Sequence, residues 1–430
     1  MTNGAQGALA SGDLHRSVFA PQVATIDFLN TVSRRYPMAI SFAAGAPDLG
    51  LIAEEDFERY LDRFRKYRGS AAVAELRAYG PNGGLINELL SAMLAQDQGV
   101  EVAPDELVVT VGAQEALLLA FRALSRGMGD VIGVVMPAFP GATGALDFLD
   151  VARVAIPEAS DGIDTSALGY TLDKLRTERR KMKAIYLAPD YSNPSGTVMS
   201  PDARRDLIEV ARREGIILIE DNTYAFMASK DLRVPSLLSL APDVVVQVGT
   251  FSKILFPGVR VGYLASKAVV MGHGGNAFPL AGAFGSLKGM TSVNTSPLSQ
   301  AVVGGYLLAN DCSLTESTQY KAKLYREKLR HLLSALDATF DDDARFRWST
   351  PSGGFFVVMD VPFNADVAML QDSAGRGDVA WAPMRSFYDD ESGDLQLRLS
   401  PSNLSAEQIE VGVQRLARFL RQELTGSSIG

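Results

Sequence analysis

The chain has 430 residues, of which 47% are hydrophobic and 21% are charged, enough to bury a large core and to form more than one lobe. Its formal net charge of -9 and the lack of a basic block argue against nucleic acid or an anionic membrane as a partner. The single cysteine, Cys312, excludes an intrachain disulfide framework, and three scattered histidines give no reason to expect a bound metal.

The N-terminal part is predicted to contain a flexible arm and several short elements. Residues 1–20 form the arm, which lacks the charged head and apolar run of a targeting signal. An amphipathic helix then ends before Pro37, and AISFAAGAPDL is a short strand that breaks into a loop. Two helices flank the turn cluster YGPNGG at 79–84. The chain has no run of about 18 apolar residues, so no membrane span and a cytoplasmic location are expected.

In the middle of the chain, strands and helices alternate. The strands are runs of Val, Ile and Leu, as in VIGVVMP, KAIYLAP and IILIED. Continuous apolar strands separated by helices predict an α/β fold with a mostly parallel, doubly wound sheet that helices cover on both faces. Ligands of such sheets bind outside the carboxyl ends of the strands. The polar residues that follow each strand are therefore the candidates for function.

The C-terminal part predicts a smaller α/β domain. A long helical region runs from about residue 300 to 340, and strands such as LQLRLSPS and a last helix follow. The glycine-rich segment 269–290 is expected to be a mobile lid or a flexible loop, and the acidic run 341–343 a solvated loop. Four parts are predicted: an N-terminal arm and helix at residues 1–35 and the first part of the small domain at 36–75. The large domain follows at 76–305, and the C-terminal small domain at 306–430.

Three strand ends carry small or polar residues in positions that suit a ligand. Gly112-Ala113-Gln114 opens a helix, where free N–H groups favour a phosphate, although such a turn is at least as often a packing solution. Asn193 begins an Asn-Pro turn after the strand KAIYLAP, which is in itself an ordinary turn signal. Asp221 ends a strongly apolar strand, so its carboxylate needs a partner, either a cationic heterocycle nitrogen or an arginine.

A fourth strand end carries the most reactive side chain. Lys253 follows VVVQVGTFS, where burial would lower the pKa of the amine and make it a nucleophile. Thr250, Ser252 and Arg260 surround it with groups that suit a phosphate. A surface lysine in a loop is the alternative for this position taken alone. The order of all four strand ends on one α/β sheet is the specific signal.

That order resembles the fold type I pyridoxal 5'-phosphate enzymes, specifically the class I/II aminotransferases, over about residues 38–420. The signature consists of Asn-Pro-Ser-Gly at 193–196, Asp221-x-x-Tyr224, and Ser252-Lys253 with Arg260-x-Gly262. The segments VNTSPLSQAVVGG and LQLRLSPS are most similar to the group of 3,5-dihydroxyphenylglycine and 2-aminoadipate transaminases.

The resemblance implies a role for each matching residue. Lys253 is the Schiff-base lysine that also moves the proton between Cα and C4', and Asp221 keeps the pyridine nitrogen of the cofactor protonated. Asn193 and Tyr224 donate hydrogen bonds to the 3-oxygen of the ring. Phe139 is the aromatic residue that stacks on the cofactor ring, and Tyr79 reaches the site of a neighbouring subunit. The remaining cofactor contacts form a phosphate cup that consists of Gly112, Ala113, Gln114, Thr250, Ser252 and Arg260.

The resemblance also implies how the substrate binds. Arg398 grips the α-carboxylate, and Gly45 and Asn193 lie beside the substrate. Arg385 is a second candidate cation for a substrate side chain. Ala46 stands where the dihydroxyphenylglycine group has an arginine, so the substrate of that group is not implied here. Because Tyr79 completes a neighbouring site, a homodimer with shared active sites is expected, and no metal is required.

Three functions follow from these residues. The leading one is an aminotransferase that moves an amino group between an L-amino acid and a 2-oxo acid, in specialised metabolism such as antibiotic biosynthesis. The second keeps the cofactor but uses the quinonoid for elimination or replacement, cyclisation, oxidation or C–C bond formation. The third is a non-catalytic sensor, but such regulators carry a DNA-binding domain first, and the 35 residues ahead of the matching part contain no basic helix-turn-helix pattern.

Overall fold

The structure, a computed structural model, describes residues 9–51, 54–272, 274–340 and 343–426. The helices of this part of the chain are α1 Pro21–Arg35, α2 Glu54–Arg68, α3 Ala72–Arg77, α4 Asn87–Gln98, α5 Gly112–Leu124, α6 Pro140–Phe148, α7 Thr165–Thr177, α8 Pro201–Glu214, α9 Leu237–Leu240, α10 Leu280–Thr291, α11 Pro297–Ala309, α12 Leu314–Phe340, α13 Val367–Arg376 and α14 Ala406–Gly426. Its strands are β1 Ile40–Ser41, β2 Leu107–Thr110, β3 Asp130–Met136, β4 Arg153–Pro157, β5 Lys181–Leu187, β6 Ile217–Asp221, β7 Val245–Thr250, β8 Gly262–Ala265, β9 Val269–Met271, β10 Ala277–Pro279, β11 Arg347–Trp348, β12 Val357–Asp360, β13 Val379–Ala380, β14 Ala382–Pro383 and β15 Gln396–Leu399.

A seven-stranded sheet lies at the centre of the molecule, with the strand order β2-β8-β7-β6-β5-β3-β4. Neighbours from β7 to β4 pair in parallel, whereas β8 runs antiparallel to both β2 and β7. Every residue of β2, β3 and β7 is buried, because apolar cores with helices cover both faces of the sheet. Burial on both sides explains why these strands are continuous apolar runs. The predicted α/β fold with a mostly parallel, doubly wound sheet is confirmed.

A second apolar core is formed by the four-stranded sheet β11-β12-β15-β14 and the helices α12 and α14. Strand β1 adds to this core through its parallel pair with β13, and Phe42 and Trp381 are fully buried in it. The backbone N–H of Ser400 donates to the carbonyl of Phe42 over 2.9 Å. This bond aligns the segment after β1 with the segment after β15, and both segments reach the site described below. The domain boundaries expected from the sequence stay a prediction.

Three elements differ from the sequence-based expectations. The arm is partly structured, because residues 11–19 form two short 3-10 turns and both His15 and Arg16 contact the carboxylate of Asp150. The long helical region is two helices, α11 and α12, separated by a turn in which Asp311 and Cys312 have positive φ angles. The glycine-rich segment is not an irregular loop, because β9 and β10 form a hairpin and α10 packs on α5. A role of this segment as a lid stays a prediction.

Other expectations concern absences or residues that lie outside the described ranges. Residues 341 and 342 of the acidic run lie outside them, as does His273. Across the described ranges, no helix is both long and apolar enough to cross a membrane. In the same ranges, no group of three or more His, Cys, Asp or Glu side chains is placed to hold a metal ion. The cytoplasmic location stays a prediction.

Candidate active site

The candidate site lies at the carboxyl ends of the central strands. Asp221 is the last residue of β6, Lys253 follows β7, and Asn193 follows β5, which are neighbours in the sheet. The second core supplies two further contacts. Lys253 Nζ donates to the carbonyl oxygen of Gly45 over 2.6 Å, and Arg398 Nη1 donates to Asn193 Oδ1 over 2.6 Å. The cleft between the two cores therefore brings these five residues together.

Lys253 is held in an environment that favours the neutral amine. Its pKa is lowered to about 8, mainly by burial and then by the positive charges of Arg398 and Arg260, while the negative charge of Asp221 opposes the shift. An ordinary lysine titrates near 10.4. A larger fraction of this amine is therefore neutral, and hence nucleophilic, at physiological pH.

Asp221 is a buried carboxylate whose hydrogen-bond donors fix its orientation. Oδ2 accepts from the hydroxyl of Tyr186 over 2.8 Å, and Oδ1 accepts from the hydroxyl and the backbone N–H of Thr223 over 2.5 and 3.2 Å. Burial raises the pKa of Asp221, and these donors and the charge of Lys253 counteract the rise. Within the described residues the carboxylate forms no salt bridge. Such a buried carboxylate suits a cationic group that enters the cleft.

Arg398 lies in the wall opposite the sheet and is 4% exposed. Its guanidinium carbon lies 4.2 Å from the ring centre of Phe356 and 5.0 Å from that of Phe387, and Nη2 donates to the carbonyl of Ala43 over 2.8 Å. Burial lowers the pKa of Arg398 to about 10, so the group stays charged at neutral pH. Its Nε is buried without a hydrogen-bond partner among the described residues, which leaves a donor for a ligand.

The amide of Asn193 is oriented by Arg398. Because the guanidinium has only donors, the Asn193 atom that faces it is the carbonyl oxygen, and the NH₂ group is left as a donor. Tyr224 is buried edge-to-face against Phe355 and Phe356, with ring centres 5.3 and 5.6 Å apart. Burial raises the pKa of Tyr224, so its phenol is protonated and can donate as well.

Arg260 and the start of α5 form a cradle that suits an anion. Arg260 has a left-handed backbone with φ of 48°, and its Nη1 donates to the hydroxyl of Ser252 over 3.2 Å. Gly112 has φ of 75°, and a Cβ at this position would lie 2.5 Å from Arg260 Nη2. Only glycine therefore lets the guanidinium approach the first N–H groups of the helix, including that of Ala113. Thr250 is placed differently, since its hydroxyl accepts from the N–H of Ser252 over 3.2 Å and supports that residue.

Phe139 and Gln114 lie together at the edge of this cradle. Phe139 precedes α6 and is half-buried, and Gln114 Nε2 donates to the carbonyl of Gly141 over 2.7 Å. A Cβ on Gly141 would lie 2.3 Å from Cε1 of Phe139 and 2.6 Å from Oε1 of Gln114. The side-chain amide of Gln114 is thus committed to the first turn of α6, and the ring of Phe139 is packed over that turn.

Three candidates are not part of this cluster in the single chain. Tyr79 is 88% exposed. Arg385 is exposed as well, and its Nε lies 3.7 Å from Oδ1 of Asp394. Ala46 is half-buried, and its carbonyl accepts from the hydroxyl of Ser402 over 2.6 Å. Arg385 therefore has a carboxylate partner near the surface, and the backbone of Ala46 is bonded to Ser402.

Several residues of the site were not predicted from the sequence. Tyr186 and Thr223 orient Asp221, and the rings of Phe356 and Phe387 enclose Arg398. Thr223 lies two residues after Asp221, a spacing that could have been noticed. The three aromatic residues carried no local signal, because Tyr, Phe and Trp are common in any apolar core. Glu158, which bonds to the turn of Asn193, also carried no sequence signal.

Comparison with known proteins identifies the family of the chain. The chain matches the family "Aminotransferase class I and II" over residues 40–416. It is 39% identical to the (S)-3,5-dihydroxyphenylglycine transaminase of Amycolatopsis orientalis, covering 97% of this chain and 95% of that protein. It is 30% identical to the 2-aminoadipate transaminase of Thermus thermophilus, covering 93% and 94% of the two chains. The chain therefore belongs to the class I and II aminotransferases, a family of pyridoxal phosphate-dependent transferases, as its sequence resemblance predicted.

Solved structures agree in fold. An archaeal alanine:glyoxylate aminotransferase superimposes with a TM-score of 0.84 at 26% identity, covering 97% of this chain and all of that one. The α-aminoadipate aminotransferase LysN of Thermus thermophilus, solved with N-(5'-phosphopyridoxyl)-L-leucine, gives a TM-score of 0.78 at 27% identity, covering 97% of this chain and all of that one. Both are aminotransferases, so the activity supported for this chain is the transfer of an amino group.

Proposed function

We propose that this chain binds pyridoxal 5'-phosphate and moves an amino group between an L-amino acid and a 2-oxo acid in specialised metabolism. The observation that carries the proposal is the convergence of Lys253, Asp221 and Arg398 in one cleft, with a nucleophilic amine between a buried carboxylate and a buried guanidinium. The 39% identity to a dihydroxyphenylglycine transaminase supports a biosynthetic role.

The residues of the cleft fit the cofactor. When bound, pyridoxal phosphate supplies an aldehyde that bonds to amines and a ring that takes up the electron pair of a broken Cα bond. Asp221, a buried carboxylate without a cationic partner among the described residues, would hold the ring nitrogen in its protonated state. The cradle of Gly112, Ser252 and Arg260 would hold the phosphate, with Phe139 beside the ring.

The chain's own groups then account for the steps of the transfer. With the cofactor bound, the amine of Lys253 would be its attachment point until a substrate amine replaces it, and Nζ would then accept the Cα proton, which the lowered pKa of Lys253 permits near neutral pH. The guanidinium of Arg398 binds the substrate carboxylate, for which its unpartnered Nε is available. The NH₂ of Asn193 and the hydroxyl of Tyr224 serve as donors to the 3-oxygen.

The reaction type is tested by the visible spectrum of the purified holoenzyme while single amino acids are added. Transamination converts a band at about 420 nm to one at about 330 nm, and a 2-oxo acid restores the first band. A lasting band at about 500 nm without an aminated product would contradict transamination and favour elimination, cyclisation, oxidation or C–C bond formation. A panel of L-amino acids and 2-oxo acids then identifies the substrate pair.

The attachment of the cofactor to Lys253 is expected to depend on pH. Only the neutral amine attacks an aldehyde, and the pKa of Lys253 is about 8. The attachment rate should therefore rise with pH and level off above pH 8, and the rate at pH 7 should be about one-tenth of the plateau. The measurement is the borohydride-fixed fraction of apoprotein after brief mixing with pyridoxal phosphate, followed by mass spectrometry. A rate that keeps rising to pH 10 would contradict the lowered pKa.

We further propose that the functional unit is a homodimer in which Tyr79 completes the site of the other copy. The loop of Tyr79 packs on residues 289–297, since a Cβ on Gly80 would lie 3.3 Å from Asn294 Nδ2. The two segments together expose Tyr79, Met290 and Leu298, which are 88%, 85% and 55% accessible. Exposed apolar side chains grouped in this way suit a protein interface.

Mixing two impaired variants tests the shared site. Tyr79→Ala and Lys253→Ala, unfolded and refolded together, form hybrids in which one site has both an intact Lys253 and an intact Tyr79. If half the dimers are hybrids, the mixture should regain about one-quarter of the wild-type activity. The control is the same mixture without refolding, in which the subunits do not exchange. Failure to regain activity, although sedimentation shows dimers, would contradict a role of Tyr79 across the interface.

A further inference from the structure

One half-buried carboxyl group beside the site, that of Glu158, takes no part in the proposed transfer. Glu158 follows β4, and its backbone N–H donates to the carbonyl of Met136 over 2.8 Å. Its Oε1 accepts from the hydroxyl of Ser195 over 3.0 Å, and its Oε2 accepts from the hydroxyl of Thr197 over 3.1 Å. The two carboxylate oxygens thus hold two points of the turn that contains Asn193.

The turn is closed by its own backbone as well. The N–H of Ser192 donates to the carbonyl of Thr197 over 3.0 Å, and the N–H of Gly196 donates to the carbonyl of Ser192 over 2.7 Å. The hydroxyl of Ser195 also accepts from the N–H of Thr197 over 3.2 Å. The Glu158 carboxylate is therefore the one side-chain group from outside the turn, among the described residues, that bonds to its hydroxyls.

Glu158 has no cationic partner among the described residues. Arg153, at the start of β4, pairs instead with Asp147 and Asp389. The titratable neighbour is Tyr388, whose pKa is raised to about 12 by burial and, to a smaller extent, by the charge of Glu158. A carboxylate in this position, balanced by hydroxyl groups alone, is costly to keep ionised. A role of Glu158 in the site would account for that cost.

The side chain that the turn presents to the cleft is Asn193. Its Oδ1 is occupied by Arg398, and Glu158, Phe139 and Asn193 line one small cavity of about 10 Å³, the space of a single water molecule. We infer that Glu158 is a positioning residue, which holds the turn of residues 192–197 so that the NH₂ of Asn193 is directed at the 3-oxygen of the cofactor. This inference rests on the proposed function, because it assigns Glu158 a role in the same site.

The positioning depends on the ionisation of Glu158. As a carboxylate it accepts from both hydroxyls, and such charge-assisted bonds are stronger than neutral ones. As a carboxylic acid, one oxygen carries a proton and is a weaker acceptor, so the hold on one hydroxyl weakens. Burial raises the pKa of Glu158 to about 7, against the opposing effect of the hydroxyls of Ser195, Thr197 and Ser192. The ionisation of Glu158 therefore changes near neutral pH, where the enzyme is expected to work.

The first test needs neither cofactor nor activity. A carboxyl whose pKa is higher in the folded than in the unfolded state makes stability fall as pH rises from its ordinary value towards the folded value. Glu158→Gln stays neutral and lacks this fall, so the variant should equal the wild-type apoprotein in stability at pH 4 and exceed it at pH 8.5. Denaturant unfolding at both pH values measures the difference. Glu101→Gln, which neutralises an exposed glutamate, is the control and should show no such crossover.

The second test reports on the cofactor itself. The visible band of the wild-type holoenzyme should change with an inflection near pH 7 that is absent in Glu158→Gln. At pH 8.5 the variant should transfer amino groups about tenfold more slowly with an unchanged KM, the factor that one charge-assisted hydrogen bond typically carries. Ser195→Ala should reproduce part of this loss, and Ser195→Thr, which keeps the hydroxyl, should restore the wild-type behaviour.

The outcomes separate this inference from the proposed function. If the stability difference appears but the band titrates identically in both proteins, Glu158 is a structural residue only and the inference is wrong. If neither measurement differs, Glu158 does not ionise in the folded protein as inferred, and the inference is again wrong. If the wild-type protein shows no cofactor band at all, the proposed function fails, and the inference fails with it.

Discussion

Lys253→Ala is expected to abolish covalent attachment of the cofactor and to lower the transfer rate by about 10⁴-fold or more, since the amine is both the nucleophile and the proton carrier. The substitution removes a charge from a buried site where burial has already lowered its pKa to about 8. The fold should therefore be at least as stable as that of the wild type. Mass spectrometry after borohydride reduction measures attachment, and single-turnover absorbance measures the transfer.

The matched control for this variant is Lys267→Ala. Lys267 lies in the segment after β8 and donates to the carbonyl of Glu101, far along the sheet from the strand ends of the cleft. This variant should keep full attachment and full activity. Borohydride fixation of the cofactor to the native site of Lys253→Ala would show that another amine is the attachment point, and would overturn the assignment.

The sequence was sufficient to predict the fold class and the cluster of strand-end residues. Parallel strands bring their carboxyl ends to one edge, so Asn193, Asp221 and Lys253 meet wherever the alternating pattern is correct. The contacts across the cleft were not predictable in the same way. The bonds from Lys253 to Gly45 and from Arg398 to Asn193 join residues more than 200 positions apart, and no local pattern determines how the two cores face each other.

Two misassigned segments have identifiable physical causes. The glycines of 269–290 predict a loop, but their roles differ: Gly274 and Gly275 have positive φ in the hairpin turn, whereas Gly289 lies in α10, where a Cβ would lie 2.8 Å from Asn82 Nδ2. The break between α11 and α12 contains no proline or glycine, and Asn310 to Ser313 form it through polar turn residues. Glycine content alone therefore predicts a loop at 269–290, where a hairpin and a helix form, and fails to predict the break between α11 and α12.

The orientation of Asp221 illustrates what periodicity cannot reveal. Strand β5 is buried on both faces over its last four residues, so the alternation that normally separates the two faces of a strand is absent. The face of the sheet to which Tyr186 points could therefore not be predicted, although its hydroxyl is one of the donors to Asp221. On β6 the same ambiguity applied to Glu220 and Asp221, and the structure separates them: Glu220 bonds to Gln247 and to the start of α9.

Asp221→Asn is expected to lower the transfer rate by roughly 10²- to 10³-fold while leaving the cofactor bound, because a neutral amide cannot keep the ring nitrogen protonated. The substitution preserves shape and satisfies its neighbours: the amide oxygen accepts from Thr223, and the NH₂ donates to the Tyr186 hydroxyl. Since burial raises the pKa of Asp221, the neutral variant should not lose stability. Stopped-flow absorbance with a good amino donor measures the rate, and denaturant unfolding measures the stability.

Glu220→Gln, at the neighbouring position of β6, is expected to have the opposite effects on rate and stability. Its carboxylate accepts from the N–H groups of Leu237 and Leu238 and from the amide of Gln247, so a single amide oxygen leaves at least one buried donor unpaired. Burial raises the pKa of Glu220 as it does that of Asp221, but the unpaired donor is expected to outweigh this and to cost about 1–3 kcal/mol of unfolding free energy, with an unchanged kcat. Asp221→Asn could instead behave as is expected of Glu220→Gln, losing stability and keeping its rate. Asp221 would then be a structural carboxylate, and the proposed chemistry would need another group to hold the ring nitrogen.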